Sequence, residues 1–178
     1  MRIIGLAGWS GAGKTTLLAT IIPRLVARGY TVSTVKHAHH DFDIDTPGKD
    51  SHVHRTAGAT EVLVGSSRRW ALMHELRDQP EPSIYDLLLK LSPVDLVLIE
   101  GFKAAHHARI EVYRRSVGKP PLYPESPGIA GIVSDTPFPD AGRPVVDIDD
   151  IDGIVDLVLA RAERLEAMLA RVREAAGT

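Results

Sequence analysis

The residues with the clearest chemical purpose form a glycine-rich segment close to the start of the chain. Residues 8–15 read Gly-Trp-Ser-Gly-Ala-Gly-Lys-Thr, which matches the P-loop pattern G-x-x-x-x-G-K-[ST] without a gap. In this pattern the glycines let backbone N–H groups turn inward around phosphate oxygens, and the following helix points its positive end at the same anion. The segment therefore predicts a site for a purine nucleoside triphosphate and Mg²⁺.

Two side chains at the end of this loop have distinct predicted roles. Lys14 is expected to reach the β- and γ-phosphates, and the Thr15 hydroxyl is expected to coordinate Mg²⁺. The rest of the loop is predicted to line the phosphate site, at Gly8, Ser10, Gly11, Ala12 and Gly13.

A P-loop also needs an acidic residue at the end of a neighbouring strand. Residues 95–100 are the most apolar segment of the middle region, and they end in Glu100. An acid at the carboxyl end of a buried strand lies beside the phosphates, where it can hold magnesium through water. Glu100 is the better placed acid. Asp95 begins the strand, and a surface role describes it as well as a functional one.

The loop after the second predicted strand, residues 36–51, combines basic, acidic and histidine side chains. In a P-loop protein the segment that senses the γ-phosphate lies here. Lys36 or Lys49 is then expected near phosphate, and acids such as Asp45 near magnesium. The histidines are alternative transition-metal ligands, although their spacing matches no closed zinc pattern; a plain solvated loop is the third interpretation. These histidines are His37, His39 and His40.

No standard motif marks the residues that would read the base. The guanine-reading N-K-x-D tetrad is absent, and Asp135 follows a late strand instead. This aspartate would accept hydrogen bonds from guanine N1 and N2, or it favours a turn before Pro137. Two arginine pairs are candidate phosphate clamps, although most exposed arginine pairs are only solvated surface. These pairs are Arg68 with Arg69, and Arg114 with Arg115.

Alternating strands and helices must position these groups. Strands are predicted over residues 3–7, 31–35, 61–64, 70–73, 95–100, 110–114, 129–133 and 144–148, and helices over 15–28, 54–59, 83–91 and about 150–176. This order predicts a P-loop NTPase α/β fold of three layers, α/β/α, with a mainly parallel sheet and an additional antiparallel hairpin. The strand at 110–114 is expected at an edge or in a hairpin, and the last helix is expected to be long and continuous.

Composition limits the class of protein. The 178 residues fit one domain, predicted to span residues 1–178. A formal net charge of −2 argues against nucleic acid as a partner, and the absence of cysteine excludes disulfides and thiolate zinc sites. No apolar run approaches the ~20 residues that cross a bilayer, and the N-terminus lacks a signal-peptide pattern. A cytoplasmic protein without a membrane partner is expected.

Four segments together resemble one known family. They are residues 8–16, residues 36–51, the run Arg-Trp-Ala-Leu-Met at 69–73 and the run Glu-Gly-Phe-Lys at 100–103. In this order and at this spacing the chain resembles MobB, a family of GTP-binding proteins of molybdopterin-guanine dinucleotide biosynthesis. The resemblance covers roughly residues 3–159.

The resemblance implies a GTP-binding adaptor with at most slow GTPase activity, for which Lys14 and Glu100 are the candidate catalytic residues. It implies that Gly11, Gly13, Lys14, Thr15 and Thr16 hold GTP and Mg²⁺, and that Glu100 supports the metal. It also implies a homodimer that assists MobA, the nucleotidyltransferase that attaches GMP to the molybdenum cofactor, with molybdopterin as a further candidate ligand. A P-loop small-molecule kinase and a metal-inserting chaperone GTPase are the alternatives.

Overall fold

A computed structural model describes residues 1–38, 42–102 and 105–176. Its strands are β1 (Arg2–Ala7), β2 (Val32–Lys36), β3 (Glu61–Gly65), β4 (Trp70–His74), β5 (Leu96–Glu100), β6 (Arg109–Tyr113), β7 (Ile129–Ser134), β8 (Val145–Asp147) and β9 (Glu163–Arg164). Its helices are α1 (Lys14–Ala27), α2 (Asp50–Thr56), α3 (Ile84–Leu88), α4 (Ile151–Arg161) and α5 (Leu165–Ala176). His39, His40 and Lys103, which the sequence analysis singled out, lie outside the described residues.

Parallel pairing dominates the larger sheet. Its strand order is β2-β5-β1-β6-β7-β8, and every neighbouring pair in that order is parallel. The short β9 adds an antiparallel pairing with the start of β1, and β3 and β4 form a separate antiparallel hairpin. The mainly parallel sheet and the additional hairpin confirm these parts of the predicted fold.

Side-chain alternation along β1 shows how the layers form. Ile4 is fully buried in a cluster with apolar residues of α1 and α4, whereas Ile3 is buried in a second cluster with residues of α3 and α5. Because successive side chains of a strand point to opposite faces, the helices cover both faces of the sheet. This is the predicted α/β/α arrangement.

The chain divides into two compact units. One comprises Met1–His37 and Ile84–Thr178 and contains the larger sheet, and the other comprises Ala38–Ser83 and contains α2 with the β3–β4 hairpin. The single domain expected over residues 1–178 stays a prediction. None of the helices in the described ranges is long and apolar enough to cross a membrane.

The prediction of an edge or hairpin strand at residues 110–114 is wrong. β6 lies inside the sheet, parallel to β1 on one side and to β7 on the other. The alternation that suggested an edge comes from Glu111, which is fully buried. Its carboxylate accepts hydrogen bonds from the backbone amides of Leu122 (2.6 Å) and Tyr123 (2.9 Å), so the acid is satisfied without solvent.

The prediction of one continuous C-terminal helix is also wrong. The chain leaves α4 at Ala162, pairs Glu163 and Arg164 with β1 and then begins α5. Val155 of α4 and Met168 of α5 belong to the two clusters on opposite faces of the sheet. The chain must cross the end of the sheet between them, which a continuous helix cannot do.

Two shorter helices differ from prediction only in their bounds. The helix expected at 54–59 is α2, which begins earlier at Asp50 and ends at Thr56. The helix expected at 83–91 is α3, which spans Ile84–Leu88.

A buried histidine lies at the entrance to β6. His107 is 2% exposed, its ring packs against the backbone of Gly5, and neither ring nitrogen has a hydrogen-bond partner among the described residues. Burial, with a smaller contribution from the Arg109 charge, lowers the pKa of His107 to about 4. The imidazole is therefore neutral in the folded protein near pH 7.

We expect His107 to make folding sensitive to mild acid. Above pH ~6.5 the ring is neutral in both states, but between pH ~6.5 and the folded-state pKa of about 4 only the unfolded chain takes up its proton. The free energy of unfolding should therefore fall by up to about 3 kcal/mol over this window because of this one group. Urea unfolding of wild type and His107→Leu between pH 7.5 and 4 measures the effect. The difference in the free energy of unfolding between the two proteins should change by that amount over this pH range. A difference that stays constant with pH would contradict the lowered pKa of His107.

Candidate nucleotide-binding site

The P-loop leaves the end of β1 in conformations that favour glycine. Gly8 has φ +143°, and a Cβ there would lie 2.5 Å from the backbone oxygen of Val112 in β6. Gly13 has φ +91° and immediately precedes the first residue of α1. Side chains at these positions would either collide with the neighbouring strand or strain the backbone. The tight turn therefore brings the start of α1 close to the carboxyl end of the sheet.

The start of α1 is open to an anion. No side chain in the described residues caps this helix, and its first turn contains no acidic residue. The helix is anchored instead by its inner face, where Leu17, Ile21 and Leu25 are buried. Its first N–H groups and the positive end of its dipole are thus available to phosphate.

Lys14 lies across the loop that it is predicted to serve. Its Nζ donates hydrogen bonds to the backbone oxygens of Gly8 (2.9 Å) and Trp9 (3.0 Å). The ammonium group is therefore held beside the opening of the P-loop. This is a suitable starting position for contact with the β- and γ-phosphates.

The structure brings Thr15 and Glu100 together. The Thr15 hydroxyl donates to the Glu100 carboxylate, 3.1 Å from Oε1 and 3.3 Å from Oε2. Parallel pairing of β5 with β1 on one side and with β2 on the other places Glu100 level with Leu6 and Lys36. A hydroxyl and a carboxylate are oxygen ligands of the kind that Mg²⁺ prefers, so the donor set fits that ion.

Lys36 approaches the same carboxylate. Its Nζ lies 3.8 Å from Glu100 Oε2, and the Glu100 side chain is only 13% exposed whereas that of Lys36 is 62% exposed. The charge of this largely buried acid is therefore partly balanced by the exposed cation of Lys36. Three of the predicted site residues meet here: Thr15, Lys36 and Glu100.

Asp135 lies at the same edge of the sheet, after β7. Because β6 separates β7 from β1, the two strand ends are about 10 Å apart. The Asp135 Oδ1 atom accepts hydrogen bonds from the backbone amide of Arg115 (2.9 Å) and the hydroxyl of Thr136 (3.2 Å). Asp135 also lines a cleft of about 460 Å³, together with residues that include Phe138 and Asp147.

Comparison with known proteins decides the family. The family model for molybdopterin guanine dinucleotide synthesis protein B, MobB, matches residues 3–135. This chain belongs to the MobB family.

Individual relatives agree with this match. The molybdopterin-guanine dinucleotide biosynthesis adapter protein of Escherichia coli (strain K12) is 41% identical over 160 residues, which cover 88% of this chain and 91% of that protein. The adapter protein of the same name from Haemophilus influenzae (strain ATCC 51907 / DSM 11121 / KW20 / Rd) is 37% identical over 160 residues, which cover 88% and 86% of the two chains. The crystal structure of a molybdopterin-guanine biosynthesis protein B has a TM-score of 0.69 at 28% identity, covering 89% of this chain and 97% of that one. The resemblance to MobB and the P-loop α/β fold are confirmed.

Two further acids were considered for the MobB site, Asp95 and Asp45. Asp95 is at the opposite end of β5, where it accepts hydrogen bonds from the backbone amide (2.8 Å) and hydroxyl (2.6 Å) of Thr31; chiefly the hydroxyl lowers the pKa of its carboxyl. Asp45 belongs to the second unit, where the Ser51 hydroxyl lies 2.7 Å from Oδ1 and the Arg55 Nε lies 3.4 Å from Oδ2. Its role as a metal ligand stays a prediction.

The histidine loop offers no assembled metal site in the part that can be described. Within residues 1–38, 42–102 and 105–176, no three His, Asp or Glu side chains gather in a metal-binding group. The His37 ring packs against Phe102 with a centroid separation of 4.8 Å. Arg68 and Arg69 occupy the exposed turn between β3 and β4 in the second unit.

Sequence reasoning missed a segment that lies against the P-loop. We call residues 119–123 the strap. The Trp9 indole donates to the backbone oxygen of Pro120 (2.8 Å), and Lys119 Nζ lies 5.9 Å from the centre of the Trp9 ring. The buried Glu111 holds the other end of the strap through two backbone amides. Its Lys-Pro-Pro sequence indicated only a loop, since a proline-rich segment carries no signal of what it packs against.

Proposed function

We propose that this chain binds GTP and Mg²⁺ at its P-loop and serves as an adaptor in molybdopterin-guanine dinucleotide biosynthesis. The observation that carries the proposal is the contact between Thr15 and Glu100 beside the uncapped start of α1. A phosphate site and a magnesium site are then adjacent, as a nucleoside triphosphate requires. Membership of the MobB family and the name of the relatives as adapter proteins support the biosynthetic role.

Each group near the loop receives one task in this proposal. When bound, Mg²⁺ would neutralise charge on the phosphates. Thr15 would hold the ion through its hydroxyl, and Glu100 would hold it through water. Lys14 moves from the loop carbonyls to the β- and γ-phosphates, and Lys36 extends from the rim towards the same side. Asp45 remains a second candidate for the metal.

We assign the base to the cleft beside Asp135. Asp135 follows β7, whose end lies about 10 Å from the end of β1 along the edge of the sheet, so one nucleotide can span both places. Guanine presents N–H donors at N1 and N2 to a carboxylate, whereas adenine presents no such pair. The chain contains no asparagine, so an N-K-x-D tetrad cannot form and Asp135 must act with other neighbours.

Hydrolysis is expected to be slow. Fast P-loop GTPases orient the attacking water with a glutamine. This chain has one glutamine, Gln79, whose backbone amide donates to Leu76 in a turn of the second unit. Slow hydrolysis suits a protein that holds GTP for a partner rather than one that turns it over.

The first prediction from this proposal concerns nucleotide binding. Calorimetric titration should show saturable GTP binding that requires Mg²⁺ and greatly exceeds ATP binding. Lys14→Ala should weaken GTP binding by about 10- to 100-fold, because hydrogen bonds between charged groups are worth roughly 1.5–3 kcal/mol. Arg24→Ala removes an exposed positive charge from the last turn of α1 and serves as the control. Equal affinity for GTP and ATP would contradict the base assignment, and binding unaffected by Lys14→Ala would contradict the P-loop site.

A second prediction concerns the adaptor role. With a MobA-like nucleotidyltransferase, molybdopterin and limiting GTP, added wild-type chain should raise the rate of dinucleotide formation. Lys14→Ala is expected to fold, which circular dichroism checks, and to bind GTP poorly, so it should not raise this rate. Product formation followed by chromatography provides the measurement. Equal stimulation by both proteins would show that the chain acts without its nucleotide.

We further propose that the chain is a homodimer formed through the β3–β4 hairpin. Leu63 pairs with Leu72 and Gly65 pairs with Trp70, so Leu63, Leu72 and Trp70 share one face of the hairpin. These three side chains are 65%, 47% and 67% exposed. A two-stranded sheet is only marginally stable alone, and an exposed apolar face on it indicates an association surface. A second copy of the chain offers the same face in a two-fold interface.

Charge on this face should therefore separate the protomers. Trp70→Lys is expected to shift the molar mass measured by light scattering from dimer to monomer, because a lysine cannot be desolvated in an apolar interface without a partner. Leu89→Lys is the matched control, since Leu89 is also 66% exposed but lies in the first unit. A dimer that survives Trp70→Lys, or one that Leu89→Lys dissociates, would place the interface elsewhere.

A further inference from the structure

Arg114 follows β6 directly and lies against the P-loop. A Cβ built on Gly13 would be 3.3 Å from the Nε and 3.8 Å from the Nη2 of Arg114. Gly13 is the residue from which α1 begins, and Lys14 follows it. The guanidinium therefore lies at the edge of the loop whose N–H groups are predicted to surround phosphate.

Among the described residues the Arg114 side chain has no acidic partner. Within the described residues it makes no hydrogen bond and no ion pair, although it is half-buried. Other half-enclosed arginines are engaged: Arg55 contacts Asp43 and Glu75, and Arg143 donates to backbone carbonyls. A half-buried cation beside a helix N-terminus adds positive charge to a region that is already positive. This arrangement becomes favourable when an anion enters.

The strand order decides which part of a nucleotide Arg114 can reach. Glu100 and Lys36 end strands on one side of β1, whereas Arg114 and Asp135 follow strands on the other side. The magnesium ion and the γ-phosphate belong to the Glu100 side, and the backbone of a P-loop holds the α- and β-phosphates. By strand order Arg114 thus comes between the loop and the proposed base cleft, on the side where the α- and β-phosphates of a bound nucleotide would lie.

We propose that Arg114 binds the α- and β-phosphates of the nucleotide, and that it does not act on the γ-phosphate as an arginine finger. The proposal rests on the proposed function of the P-loop. GTP and GDP share these two phosphates, so Arg114 holds the nucleotide equally before and after loss of the γ-phosphate. A planar guanidinium with several donors is suited to such phosphate contacts.

The test compares affinities for GTP, GDP and inorganic pyrophosphate. Arg114→Met keeps the length that packs on Gly13 but removes the charge and the donors. It should weaken binding of all three probes by about 10- to 100-fold, by similar factors for GTP and GDP. Arg24→Met removes a distant exposed charge and should change each affinity by less than about twofold, because salt screens it. Arg114→Lys retains the charge and should lose less affinity than Arg114→Met.

Several results would overturn the proposal. A loss confined to GTP would place Arg114 at the γ-phosphate, unchanged affinities would remove it from the site, and equal losses in Arg114→Lys and Arg114→Met would indicate packing alone. If Arg114→Met does not fold by circular dichroism, Arg114→Gln takes its place with the same expected results.

The pyrophosphate titration separates this proposal from the proposed function. Wild type that binds pyrophosphate through Arg114 but shows no preference for GTP would support Arg114 and contradict the guanine assignment. If wild type prefers GTP and Arg114→Met binds GTP with unchanged affinity, the guanine assignment is supported and the role of Arg114 is contradicted. Wild type that binds none of the three probes would overturn both.

Discussion

The position of β1 between β5 and β6 is the constraint on which the site depends. β1 is buried on both faces and pairs in parallel with a neighbour on each side. Parallel pairing brings the carboxyl ends of the three strands to one edge, so the P-loop, Glu100 and Arg114 meet although they are far apart along the chain. Had β5 paired in the opposite direction, its acid would lie at the far end of the sheet.

Electrostatics at this edge is organised in two halves. On the β5 side Glu100 brings negative charge, balanced by Lys36 and bonded to the Thr15 hydroxyl. On the β6 side the half-buried Arg114 lies beside Gly13, next to a helix start that no side chain in the described residues caps. A magnesium ion suits the first half and phosphate suits the second. A nucleotide with its metal satisfies both halves at once, which neither a free anion nor a free cation would do.

Several elements followed from the sequence because their signals are local. The apolar run of β1 and the two strands of the hairpin depend on neighbouring residues, and both elements are present as predicted. The position of Glu100 beside the P-loop was predicted from one additional rule, that an acid at the carboxyl end of a buried strand lies next to the loop. The interior position of β6 could not be predicted from the sequence. Its Glu111 looks like the polar residue of an edge strand, and only the tertiary structure shows that the strap satisfies this acid. The division of the terminal helix into α4 and α5 could not be predicted either. Amphipathic periodicity shows that one face of a helix is buried, but not which side of the sheet covers it.

By itself the sequence determined the type of fold and predicted the type of ligand. The spacing of glycines, Lys14 and Thr15 specifies a phosphate cradle through local backbone geometry, and alternating strands and helices specify a parallel α/β sheet. Only the tertiary structure decided which distant groups surround that cradle. Strand order decides that Arg114 and the strap on Trp9 lie beside the P-loop. The sheet face that each helix covers decides where the chain crosses between α4 and α5. Those are properties of contacts between residues remote in sequence, and no local pattern encodes them.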